Sequence, residues 1–252
     1  MSARLDGLPQ PDSSIHPTGV GKGEHALEQR RANQVALLRH WGLLPSSRLL
    51  EIGCGVGWLA YDLAFVLDET GSYAGFDVGA EAIGWLNENL APRLANFRFD
   101  AVDVHNPKYR PKGGGSPETF RFPYADDEFD FVCAFGLFMH MPLPGVDNYL
   151  RETARVLRTG SRALLNFMAI TPADTDPRNA HRPYVPVSEG VYTNRPDRVD
   201  WSLAYDDALI REHFAAAGLE LLAFDEGSWH GRRRKAGGVP VPGADLYVVA
   251  AP

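Results

Sequence analysis

Residues Leu49-Leu50-Glu51-Ile52-Gly53-Cys54-Gly55-Val56-Gly57 join an apolar run to three alternate glycines, and this leaves the chain few folds to choose from. A short apolar run bounded by turn residues reads as a buried strand. Alternate glycines let the backbone turn sharply and let a ligand approach it closely. Leu59, Leu63, Val66 and Leu67 then recur at helical spacing. A strand, a glycine turn and a helix N-terminus make a nucleotide-type cofactor site at the carboxyl edge of an open sheet. A dinucleotide fingerprint, Gly-x-Gly-x-x-Gly, fits poorly. Counted from Gly53 and Gly55, its third glycine falls on Trp58, whose indole hinders close helix–strand packing.

Further strands follow in order. Ser72 to Asp77 ends in an acid, placed where a carboxylate can accept from both hydroxyls of a ribose. Asp77 reads equally well as the cap of the next helix, which carries Ile83, Leu86 and Leu90 on one face. A third strand, Asn96 to Asp103, also ends in an acid, whereas Asp100 falls within it. The fourth, Phe129 to Phe135, leads into Gly136-Leu137-Phe138-Met139-His140-Met141-Pro142. Val146, Tyr149, Leu150, Thr153, Ala154 and Leu157 make one helical stripe, and Arg155 to Gly160 closes it with cations and a glycine. Ser161 to Met168 is a fifth strand, Tyr205 to Ala217 a helix, and Leu219 to Phe224 and Asp245 to Ala250 the last two strands.

The pattern Glu-x-Gly-x-Gly-x-Gly, with Asp77, Asp103 and the Phe138 to Met141 segment after it, resembles the class I S-adenosylmethionine-dependent methyltransferases. Tyr73 to Asp77, Phe122 to Tyr124, Gly227 to Arg232 and Asp245 to Val249 look more narrowly like a bacterial branch acting on small molecules. The resemblance covers about residues 45 to 252. It implies an α/β fold: a doubly wound, mostly parallel, seven-stranded Rossmann-like sheet with an antiparallel last strand. It implies a site for S-adenosylmethionine built from Glu51, Gly53, Cys54, Gly55, Gly57, Asp77, Val78, Asp103, Val104 and Phe135. In that site Asp103 accepts from the adenine amino group and the Val104 N–H serves the ring. The family usually has a hydroxyl residue before the Phe138 region, where this chain has Phe135-Gly136.

With 252 residues and 44% hydrophobic content, a large core is within reach. Residues 1–23 read as a flexible arm and 24–252 as one domain with acceptor-side insertions at about 105–127 and 169–203. A helix from about Glu24 to Trp41 is a candidate lid, and Tyr184, Tyr192 and Trp201 suit a flat or glycosidic acceptor. No apolar run approaches the roughly 20 residues that span a bilayer, and the first residues lack a signal-peptide core. Cys54 and Cys133 fall at buried positions, as expected in a reducing cytoplasm. A net charge of -7 argues against nucleic acid as a partner. Arg232-Arg233-Arg234-Lys235 is either a solvated loop or a clamp for an anionic acceptor.

Methyl transfer to oxygen requires alignment, exclusion of water and a base for the acceptor's proton. His140, after the fourth strand, is the first candidate base, with His230 second and His181 third. No His/Asp group has metal spacing, Asp174 and Asp176 included, so no metal is expected. The expected activity is methylation of a small molecule, at a hydroxyl of a natural product or sugar, in secondary metabolism. The alternative is a protein of this fold that binds S-adenosylmethionine but is non-catalytic or catalyses another reaction.

Overall fold

The computed structural model describes residues 7–11, 24–171, 184–230, 235–236, 239–241 and 243–252. In chain order, α1 (Glu24–His40) precedes β1 (Arg48–Ile52), α2 (Trp58–Leu63), β2 (Ser72–Asp77), α3 (Ala80–Asn89), β3 (Phe97–Ala101), β4 (Phe129–Ala134), α4 (Leu143–Val156) and β5 (Leu157–Phe167). Next come β6 (Ala169–Ile170), β7 (Val185–Ser188), β8 (Val191–Thr193), β9 (Leu203–Asp206), α5 (Asp207–Ala216) and β10 (Glu220–Asp225). Two short strands, β11 (Lys235–Ala236) and β12 (Val239–Pro240), precede β13 (Asp245–Ala250).

Seven strands form the main sheet in the order β10-β13-β5-β4-β1-β2-β3. Strands β1 to β5 pair in parallel, and β13 runs antiparallel to both of its neighbours. This is the doubly wound sheet with a reversed last strand that the family resemblance implies. Successive side chains of a strand point to opposite faces, so Leu49 and Leu50 serve two cores. Leu50 and Ile52 pack under α4 and α5 with Tyr149 and Phe214. Leu49 packs under α1, α2 and α3 with Leu38, Leu63 and Leu86. Strand order reverses between β1 and β4, which opens a crevice at their carboxyl ends.

The turn after β1 needs its glycines. Gly53, Gly55 and Gly57 all have positive φ, at 76°, 55° and 83°. A Cβ on Gly57 would also lie 2.4 Å from Cδ2 of the fully buried Leu86. The glycine that packs helix against sheet is thus Gly57, one position earlier than the dinucleotide pattern demands.

Several element boundaries differ from the sequence reading. Helix α4 passes directly into β5 at Leu157, which pairs with Phe129. Gly160 therefore lies inside a strand, and the expected capping cations are engaged elsewhere. Arg155 pairs with Glu152 and Asp126, and Arg158 with Asp130. Strand β3 stops at Ala101, leaving Asp103 in the following loop. Helix α2 ends at Leu63, and Tyr205 belongs to β9 rather than to the helix that begins at Asp207. Its ladder partners Ala169 and Val191 override the helical spacing. The stretch expected as an acceptor-side insertion contributes a second sheet, β6-β9-β8-β7.

Helix α1 docks on α2 rather than over the crevice. Arg31 pairs with Asp62 and lies 4.4 Å above the Trp58 ring. No described side chain of α1 faces the cavity, so the lid expectation is not met. Most of the expected N-terminal arm lies outside the described residues, as do His181, Asp174, Asp176 and Arg232 to Arg234. Among the described residues no helix is long and apolar enough to cross a membrane.

Candidate active site

The crevice at the switch point is a cavity of about 970 Å³. That is at the upper end of the roughly 300–1,000 Å³ of small-molecule sites. Its floor is Gly53, Gly55 and Val56 from the turn after β1, and Asp77, Val78 and Gly79 follow from the end of β2. Val104 to Asn106, Tyr109, Arg110 and Gly113 to Glu118 form one wall. Phe135 to Leu137, His140 to Pro142, Tyr149 and Asp200 form the other.

Asp77 is set by backbone. One carboxylate oxygen accepts from the Gly55 N–H at 2.9 Å and the other from the Gly79 N–H at 2.8 Å. The helix cap is Gly79, with no side-chain cap bond. Asp77 also lines the cavity, and a carboxylate oxygen can accept more than one hydrogen bond. Acid, glycine floor and the flanking Val78 and Val104 fit the adenosyl group of the expected cofactor.

Five expected site residues, Glu51, Cys54, Gly57, Asp103 and His230, do not line the cavity. Gly57 supports helix packing, as described above. Cys54 is buried beneath the turn, where burial pushes its thiol pKa well up, and Cys133 is likewise a buried free thiol. Asp103 is 63% exposed and bonded to Arg110 at 2.8 Å and to the Gly114 N–H at 3.3 Å. Arg110 holds that carboxyl below its usual range. The 105–115 loop folds back on Val104 through backbone bonds between His105, Gly115 and Asp103. A Cβ on Gly113 would meet the Val104 carbonyl at 2.5 Å. The glycine tract, legible only as a surface excursion, is in fact what lets the loop lie against the cavity and deliver Arg110. Asp100, the competing acid, accepts from the Tyr124 hydroxyl at 3.0 Å.

Glu51 is fully enclosed below the turn, and the Tyr73 hydroxyl donates to it at 2.6 Å. Burial raises its pKa to about 8; the Tyr73 bond pulls it down and the Asp77 charge pushes it further up. An unfolded carboxyl gives up its proton near 4.5, so between that value and 8 the native state holds a proton the unfolded state has lost. Stability therefore falls as pH rises through this window. Glu51→Gln is expected to remove the dependence and to raise the thermal midpoint at pH 8 by an amount worth a few kcal/mol, ~4 at most. Melting curves of both proteins from pH 5 to 8 check this, and parallel curves would show that Glu51 ionises normally.

His140 ends the 3-10 turn Phe138–His140 and faces the cavity. Burial, aided by the Lys108 charge, lowers its pKa to about 4, so the imidazole is neutral at working pH. The Nδ1 of the ring is buried without a hydrogen-bond partner. A neutral imidazole keeps one nitrogen lone pair that can take a proton. The Tyr109 ring meets the imidazole edge-on at 5.5 Å.

His230 is elsewhere. Its side chain is completely buried and its Nε2 donates to Asp245 at 2.8 Å. Asp245 also accepts from the Trp229 indole and from the Gly227 and Ala169 N–H groups. The carboxylate captures His230 for a structural knot at the start of β13, which removes it from the acceptor side. The sequence reading missed Arg110, Tyr109, Asn106 and Asp200. Aromatic and charged residues in loops longer than plain connections were the available signal, without a means to say which would face inward.

A family model described as a methyltransferase domain matches residues 25–222. The chain is 30% identical over 244 residues to the methyltransferase GfsG of Streptomyces halstedii, across 94% of this chain and 72% of that protein. It is also 30% identical over 150 residues to the 2-phytyl-1,4-naphtoquinone methyltransferase of Synechococcus elongatus. That match takes in 57% of this chain and only 50% of the relative's length. Among solved structures, magnesium protoporphyrin IX methyltransferase from Synechocystis PCC 6803 with bound S-adenosylmethionine aligns with a TM-score of 0.55 at 15% identity. The alignment covers 95% of this chain and 89% of that one, a likeness of fold. With the family match spanning most of its length and a glycine-floored crevice at the switch point, this chain belongs to the class I methyltransferases that use S-adenosylmethionine.

Proposed function

We propose that this enzyme methylates a hydroxyl oxygen of a small molecule, a natural product or sugar, with His140 as the proton acceptor. The observation that carries the reading is a neutral imidazole, His140, on the cavity wall. The bound cofactor supplies a methyl group on a sulfonium whose thioether leaves without charge. The chain's own tasks are to align the acceptor, exclude water and take its proton. Asp77 and the glycine floor hold the sugar end of the cofactor. Phe135, Leu137 and Met141 give the opposite wall an apolar surface that keeps water out. Asn106, Tyr109 and Asp200 offer polar groups to orient a hydroxylated acceptor.

The test is incubation with S-adenosylmethionine and a panel of phenolic, sugar and polyketide alcohols, with the product methyl located by NMR. Methyl ethers are the expected products. Methylation confined to nitrogen or carbon acceptors would overturn the oxygen reading. Cofactor binding with no methyl transfer to any acceptor class would favour the non-methylating alternative.

Asp77→Ala is expected to weaken S-adenosylhomocysteine binding about 10- to 100-fold, since hydrogen bonds to a carboxylate contribute about 1.5–3 kcal/mol. Calorimetry measures this, and unchanged affinity would take the ribose role from Asp77.

A further inference from the structure

We propose that the second sheet positions His140, with the Tyr205 hydroxyl fixing the turn that carries the residue. This rests on the reading of His140 as the base and makes Tyr205 a positioning residue for it.

Tyr205 is only 1% exposed. Its backbone is pinned in β9 by a bond from its N–H to the Met168 carbonyl at 2.9 Å. The hydroxyl donates to the Met141 carbonyl and lies 3.5 Å from the Phe138 carbonyl. Those two groups bracket the 3-10 turn Phe138–His140. The turn's own backbone bonds run from His140 N–H to Leu137 and from Met141 N–H to Phe138. From the other side, Phe138 stacks on Phe167 at 4.4 Å, and Phe167 meets the Tyr205 ring edge-on. The turn is therefore fixed by one buried hydroxyl and one aromatic stack.

The turn Val199–Trp201 packs against Phe138–His140. Lys108 and Tyr109 from the facing loop, and Asp200 beside Trp201, are the charged and titratable neighbours. Both contacts, Trp201 and Tyr205, lie in one stretch of five residues. The segment that walls the acceptor side thus also sets the base, and sites held by such supporting contacts lose function when they loosen slightly.

Tyr205→Phe removes the hydroxyl and keeps the ring. Nitrogen-15 NMR of the histidine rings, with His140→Ala identifying the signal, reads the result directly. In Tyr205→Phe the His140 ring signals are expected to shift and the ring to titrate closer to its ordinary value. Turnover falls about 10- to 100-fold, while S-adenosylhomocysteine affinity stays within about twofold. A tyrosine that only supports the fold would lower the melting temperature and leave the His140 signals where they were. Unchanged His140 signals in the variant overturn the proposal. So does a Tyr205 hydroxyl proton that exchanges freely with water in the wild-type protein, a result that needs no variant to fold. If the signals move in Tyr205→Phe while His140→Ala keeps full turnover, the positioning stands and the base assignment fails.

Discussion

Asp245→Ala is expected to lower the melting temperature by roughly 6–20 °C, the equivalent of about 3–5 kcal/mol in a chain of this size. The carboxylate is completely buried and accepts four hydrogen bonds, from the Ala169 and Gly227 N–H groups, the Trp229 indole and His230. Removing it strands four donors at once, and each buried unsatisfied group costs about 1–3 kcal/mol. The loss is moderated because a buried charge no longer has to be desolvated. Asp245→Asn should also destabilise, because its amide N–H groups would face donors. Thermal melts followed by circular dichroism measure both. A shift of less than about 2 °C for the alanine variant would mean that water or neighbours replace the carboxylate, and the knot would lose its structural role. Because Asp245 pairs with Phe167 at the carboxyl end of β5, the damage should reach the site edge of the sheet.

His140→Ala is expected to reduce turnover by about 10²- to 10⁴-fold, the usual contribution of a positioned general base. S-adenosylhomocysteine affinity should change little, since the imidazole lies on the acceptor wall and Asp77 and the glycine turn hold the adenosyl end. The pH profile gives a second reading. With its pKa lowered to about 4 by burial, the imidazole keeps its lone pair across neutral pH. The rate should be flat through that range and fall only as acid protonates the ring. The same shift makes a stability statement. Below the ordinary 6.5 the unfolded chain binds a proton that the native ring refuses, so His140 costs stability as pH falls from about 6.5 toward 4. His140→Ala should therefore resist mild acid better than the wild-type protein. Wild-type turnover in the variant would show that His140 only packs against Tyr109 and Trp201.

The parts of the site legible in the sequence are those encoded within a few consecutive residues. Three glycines at alternate positions dictate a turn of positive φ wherever they occur, and Asp77 at the end of an apolar strand has one backbone partner two residues on at Gly79. Polar residues whose partners are distant were not legible. His230 and Asp245 are fifteen residues apart and meet only because β13 closes the sheet. Arg110 reaches Asp103 because a glycine loop folds back on Val104, and spacing alone left that acid free for adenine.

Hydrophobic periodicity and glycine placement act over one strand or one helical turn. They settled the alternation of elements and the glycine floor of the crevice before any contact between distant segments is considered, while the reversed last strand was implied only by the family resemblance. The burial of His140, the pairing of His230 with Asp245 and of Asp103 with Arg110, and the conversion of Tyr205 from a helix start to a strand residue came from the folded chain. Each depends on which remote donor, acceptor or ladder partner is within about 3 Å, and that distance is fixed by packing across the sheet rather than by neighbours in the chain.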